Sequence, residues 1–246
     1  MYITLDFDKL VETIQQLHQR IDERFPCSRL KTIAKELNEM ADKSSADIEW
    51  INRPNIWLRL GAALVVLMGV SFMVYSWMQL DAAKTNTLNQ VTFVQISESV
   101  FNNVILGGAA IFFLFSIENR IKRSRLISSL HHLREIAHVI DMLQLTKDPY
   151  YASGQGTSTE SSPERTMTVF ELQRYLDYCS EMLSLVGKLA ALYVKHFPDP
   201  SVTQAVNEVE VLCTNLSRKI WQKIIIANSL EQKALAAAEV DNCDTP

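Results

Sequence analysis

The chain is poor in residues that break regular structure. Seven glycines and seven prolines among 246 residues leave little material for the tight turns of a β-rich fold. No segment alternates polar and apolar residues in the strand period, so an all-α fold is expected. Cysteine is scarce as well. Cys27, Cys179, Cys213 and Cys243 stand singly, with no Cys-x-x-Cys pair, which argues against a disulfide framework or a thiolate metal site. Charge of one sign is missing: 24 basic against 28 acidic residues give a net charge of −4, so nucleic acid is not an expected partner. The phosphate-loop, dinucleotide, nucleophile-elbow and zincin signatures are absent. The sequence therefore calls for no cofactor and no enzymatic activity.

Long apolar runs are present. Residues 56–80 carry no charge apart from Arg59. A helix of that length rises roughly 37 Å, enough to cross a bilayer with tilt. Trp57 and Trp77 fall near its two ends, where amphipathic rings favour the interface, and Arg59 is close enough to an end to snorkel. Residues 100–117 form a second uncharged run of about 27 Å as helix, flanked by Glu98 and Glu118. The first 25 residues hold Asp6, Asp8, Glu12, Asp22 and Glu23 and lack an apolar core, so a secretory signal is not expected.

Basic residues set the expected orientation. Arg53 and Arg59 begin the first run, and Arg120, Lys122, Arg123 and Arg125 follow the second. The connection 81–99 holds only Lys84. The positive-inside rule then predicts an integral, multi-pass membrane protein with both termini in the cytoplasm. A bacterial inner membrane and a eukaryotic plasma or reticulum membrane fit equally.

Amphipathic helices fill the remainder. Residues 1–53 read as a helical hairpin, with Phe7, Leu10, Ile14, Leu17, Ile21 and Phe25 on one stripe and Pro26 at the break. Ser28 can cap the second helix, which carries Leu30, Ile33, Leu37, Met40 and Ile48. Residues 54–118 form the two-span hairpin, and 119–147 extend the second span through Leu126, Leu130, Leu133, Ala137 and Ile140. Residues 148–167 are small and polar and read as a flexible linker. Thr168 and Glu171 form a capping-box pair ahead of a heptad stripe at Leu172, Leu176, Cys179, Leu183, Val186, Ala190, Tyr193 and Phe197. After Pro198-Asp199-Pro200 a second stripe runs through Val206, Val209, Cys213, Leu216, Ile220, Lys223, Ala227, Leu230, Ala234 and Ala237. Residues 168–246 thus read as a cytoplasmic coiled-coil hairpin with one helix longer than its partner.

Chemistry-bearing constellations are few. His131, Glu135 and His138 share a helix face, but the apolar stripe of that helix points elsewhere, so they are weak metal candidates on a solvated face. In the second run Asn102, Asn103, Gly107, Ala110 and Leu114 offer small and polar positions. In the first, Ala62, Gly69 and Ser76 recur every seven residues. Small residues let helices approach closely in lipid, and asparagine there seeks protein or water. The second-run set is therefore a candidate pore lining.

In layout the chain is similar to two-span oligomeric channels with coiled coils, and to small two-span membrane effectors of bacterial conflict systems. It departs from the calcium uniporter family, which carries Trp-Asp-x-x-Glu-Pro where this chain has Asp81-Ala82-Ala83-Lys84-Thr85-Asn86. It also lacks the Gly-Met-Asn that two-span magnesium channels carry after the first span, where this chain reads Trp77-Met78-Gln79-Leu80. Two functions remain open. One is a homo-oligomeric channel with a cytoplasmic gating domain. The other is a membrane-anchored scaffold or signalling protein that recruits a cytoplasmic partner. Partners common to both are the bilayer and further copies of the chain.

Overall fold

The computed structural model describes residues 5–53, 56–83, 90–154, 159–162 and 166–243. Among them the chain forms seven helices and no strand: α1 (Phe7–Arg24), α2 (Arg29–Asn52), α3 (Ile56–Ala83), α4 (Gln90–Leu145), α5 (Pro149–Ala152), α6 (Val169–His196) and α7 (Pro200–Cys243). They divide into two compact units. One comprises 1–50 with 126–246, and the other 51–125.

The first unit is a helical bundle centred on α6. The expected stripe of α6 is buried from Leu172 to Tyr193, with Phe197 half-buried just past the helix end, and a second stripe is buried with it: Tyr175, Tyr178, Met182, Leu185, Leu189 and Leu192. A helix apolar on two faces needs neighbours on both. On one side Gly187 lets α7 approach, with Cys213 Cβ 3.9 Å from where a Cβ would stand. On the other, Phe25 packs edge-on against Tyr175 and Tyr178, with ring centroids 5.6 and 6.2 Å apart. Arg20 of α1 pairs with Glu181 at 2.9 Å. The C-terminal pair is therefore not a free-standing hairpin; its first helix is the core of a larger bundle.

Helix ends follow local chemistry. Asp6 caps α1 through the Asp8 amide at 3.1 Å, and Ser28 accepts from the Lys31 amide at 3.3 Å at the start of α2. Asp199 accepts from the Ser201 and Val202 amides at 2.9 and 3.3 Å to start α7. Within the expected linker, Asp148 caps the single turn α5, and Gly154 takes the left-handed conformation (φ 76°) just past its end. Residues 155–158 and 163–165 lie outside the described set.

At the start of α6 the Glu171 carboxylate accepts from the Thr168 amide at 2.8 Å, and the Thr168 hydroxyl accepts from the Glu171 amide at 3.2 Å. These bonds, backbone first, hold the Glu171 pKa below its ordinary value. A depressed carboxylate stabilises the fold above its unfolded pKa, and the gain fades as pH falls through the folded value. Thermal melts of Glu171→Gln and the parent chain are therefore expected to converge on acidification.

α4 is one helix of 56 residues. No proline or glycine occurs between Gly108 and Pro149 to stop it. The connection expected over 81–99 is largely helical too. Asp81–Ala83 end α3 and Gln90–Ser99 begin α4, again with no breaker in the sequence. Lys84 lies outside the described residues.

Candidate functional site

The most distinctive feature of the chain is the second unit. Its helices α3 and α4 contain apolar stretches long enough to cross a membrane, and none of either apolar window is buried in the fold. Large side chains are exposed around both helices, among them Trp57 at 83%, Leu67 at 66%, Leu106 at 67% and Phe112 at 77%. An isolated exposed leucine is ordinary on a soluble surface; exposure throughout an apolar window on each of two helices is the pattern of segments that could cross a membrane.

Within this unit α3 and α4 lie side by side. A Cβ at Gly61 would meet Leu114 Cδ1 at 3.8 Å. Farther along, the pair encloses an apolar groove of about 250 Å³, lined on α3 by Val66, Gly69 and Met73 and on α4 by Asn103, Gly107 and Ile111. At the other end Arg59, Ala62, Leu114 and Glu118 border a second recess. Lys122 bonds Glu118 at 2.8 Å and donates to the Arg53 carbonyl at 3.4 Å. It is thus folded into the helix pair rather than extended as a free anchor. The Glu118–Lys122 spacing of four was a visible signal of that pairing.

The candidate pore residues separate. Asn103, Gly107, Ala110 and Leu114 are half-buried, and Asn103, Gly107 and Leu114 border recesses shared with α3 of the same chain. Asn102 is exposed. Of the interface candidates, Trp57, Arg59 and Arg120 are exposed, while Lys122 and Arg123 are half-buried. The side chains of Trp77 and Ser76 lie outside the described residues.

His131, Glu135 and His138 are exposed on α4 and do not converge. Nearby, His132 lies 3.4 Å from Glu36 and 3.5 Å from Glu135. Among the described residues no group of three His, Cys, Asp or Glu side chains could hold a metal ion.

No family model, curated protein or solved structure matches this chain.

Several polar devices in the bundle escape the periodicity argument. Ser44 and Asp47 are fully buried on α2, in the gap between Met40 and Ile48. Tyr193 donates to Ser44 at 2.7 Å, Ser44 to the Met40 carbonyl at 2.7 Å, and Ser129 to Asp47 at 2.9 Å. These bonds satisfy groups that would be costly to bury alone.

Lys223 departs from its expected place in the α7 stripe. Ile224 is buried instead, and the Lys223 ammonium donates to the carbonyls of Gln144 and Lys147 at 2.7 and 3.1 Å. It meets the C-terminal end of α4, where unpaired carbonyls and the helix dipole favour a cation. Burial lowers its pKa, while Asp148 and Asp141 oppose that shift. Lys223→Met is expected to destabilise the bundle by about 1–2 kcal/mol, measured by denaturant unfolding against the exposed control Lys188→Met.

Burial also raises the thiol pKa values, Cys179 to about 12 and Cys213 to about 11. Both stay protonated and unreactive at neutral pH, whereas Cys27 is exposed.

Proposed function

We propose that the chain is a two-span integral membrane protein that anchors its helical bundle at the cytoplasmic face, where the bundle acts by association. The observation that carries the membrane reading is the exposure of the apolar stretches of α3 and α4. The basic flanks Arg53, Arg59, Arg120, Lys122, Arg123 and Arg125 support cytoplasmic termini, with the connection outside. Anchoring is favoured over conduction because Asn103, Gly107 and Leu114 border recesses that α3 of the same chain shares.

The associating surface in this reading is α7. It spans 44 residues against 28 for α6. Val211, Trp221 and Ile225 are exposed at 60%, 60% and 51%, at helical spacing on one face. A second copy of the chain is the proposed occupant, since two such faces can cover one another across a two-fold axis. Chemical cross-linking in native membranes should give dimers or higher species from the parent chain and far fewer from Trp221→Asp with Ile225→Asp. Equal cross-linking in both would refute the α7 face.

Asn102 supports a second reading, a homo-oligomeric channel. Its exposed amide at membrane depth would be costly against lipid and would favour water or another chain. Ion flux into liposomes containing the inserted protein separates the two readings. The anchor reading expects flux no greater than in empty liposomes. Flux that Asn102→Leu abolishes would establish the channel.

A further inference from the structure

The bundle holds a feature that neither reading uses. At one end, the turn between α1 and α2, the C-terminal end of α4 and the segment leading into α6 surround an open cleft of about 620 Å³. That volume is in the range of pockets that take small organic ligands, about 300–1,000 Å³. Three cations line it: Arg24, Arg29 and Lys147. No carboxylate is among its described lining residues, and none of the three cations makes an ion pair among the described residues.

Aromatic faces partly compensate this charge. The Lys147 ammonium lies 5.0 Å from the Tyr175 ring centroid, and the Arg24 guanidinium 5.7 Å from that of Phe170. Burial lowers the Lys147 pKa, so charge there is incompletely compensated. The α2 N-terminus, starting at Arg29, adds a positive dipole end to the same wall. The rest of the lining mixes the accessible apolar side chains Met142 and Met167 with the hydroxyls of Ser28, Thr146 and Thr166. A ligand that suits these walls carries several negative charges at one end and a flat or apolar body at the other. Arginine forks match phosphate oxygens in paired hydrogen bonds, and a lysine adds a point charge.

We propose that this cleft binds an organic phosphate of about nucleotide size, with its phosphate groups on Arg24, Arg29 and Lys147 and its apolar body against Met142 and Met167. The inference concerns the bundle alone and does not depend on whether the spans anchor or conduct.

Cys27 lines the cleft and is exposed, so its alkylation reports occupancy. The full-length protein in phosphatidylcholine nanodiscs would be treated with N-ethylmaleimide and the modified Cys27 peptide followed by mass spectrometry. The probes are ATP, pyrophosphate, adenosine, and nanodiscs made instead with phosphatidylglycerol.

ATP is expected to slow Cys27 modification in a saturable way. Each of Arg29→Gln and Lys147→Gln should raise the half-protecting concentration about tenfold, the loss expected for one charge-assisted contact. Lys188→Gln, an exposed cation elsewhere on α6, should leave it unchanged. Met167→Trp, which narrows the cleft without removing charge, should weaken ATP more than pyrophosphate. Protection by pyrophosphate as well as ATP would support the phosphate contacts. Protection only in phosphatidylglycerol, lost in the same variants, would support them with a lipid headgroup as the source. Protection by adenosine equal to that by ATP, or no protection by any probe at millimolar concentration, would overturn the proposal.

Discussion

Leu67→Arg combined with Leu106→Arg is expected to expel the chain from the membrane. Both side chains are exposed near the middle of an uncharged run, Leu67 on α3 and Leu106 on α4. An arginine at the centre of a span costs about 3 kcal/mol by insertion scales, so the pair costs roughly twice that. The second apolar run, at 18 uncharged residues, has little surplus length to compensate. Carbonate extraction should leave the parent chain in the membrane pellet and move the double variant out of it. Leu235→Arg is the control, because Leu235 is equally exposed but lies on α7. It should remain in the pellet. If the double variant remained there too, apolar exposure of α3 and α4 would not be what holds the protein.

Leu183→Ala is expected to have the largest effect on the bundle among single truncations of α6. Its side chain is fully buried in the central helix. Removing a buried leucine to alanine costs about 2–5 kcal/mol, the spread reflecting how far the site can collapse. Neighbours on several sides of α6 leave little room for collapse, so the upper half of that range is expected. Val211→Ala on the exposed face of α7 should cost well under 1 kcal/mol in the same denaturant titration. Equal losses in the two variants would mean that α6 is not the core.

The helices of the chain were legible in its sequence because the signals that make them are local. Pro26, Ser28, Thr168 with Glu171, and Pro200 mark ends that the structure uses. The partners of each helix were less legible. On α6 the stripe from Leu172 to Phe197 is one of two, because Tyr175, Tyr178, Met182, Leu185, Leu189 and Leu192 repeat with the same spacing. Two stripes on one helix signal a central position, and reading only one of them suggests a hairpin. Lys223 holds a stripe position by count, yet the end of α4 draws its ammonium to backbone carbonyls and Ile224 fills the core. Ser44 and Asp47 interrupt the apolar period of α2 because Tyr193 and Ser129, distant in sequence, supply their hydrogen bonds.

The candidate site has the same division. The small residues Gly107 and Ala110 permit a close neighbour, but they do not say whether it belongs to the same chain or to another. In the folded chain Asn103, Gly107 and Leu114 border recesses shared with α3. The cationic cleft could not have been read from spacing at all. Arg24, Arg29 and Lys147 come from three separate segments that only the folded bundle brings together.

The most direct test of the membrane reading is the sidedness of two thiols in intact cells. Asn86→Cys would put one in the connection between the spans, and the native exposed Cys27 supplies the other. A membrane-impermeant maleimide applied outside should label Asn86→Cys in intact cells and reach Cys27 only after lysis. Labelling of both or of neither before lysis, from protein recovered in the membrane fraction, would contradict a two-span chain with its bundle in the cytoplasm.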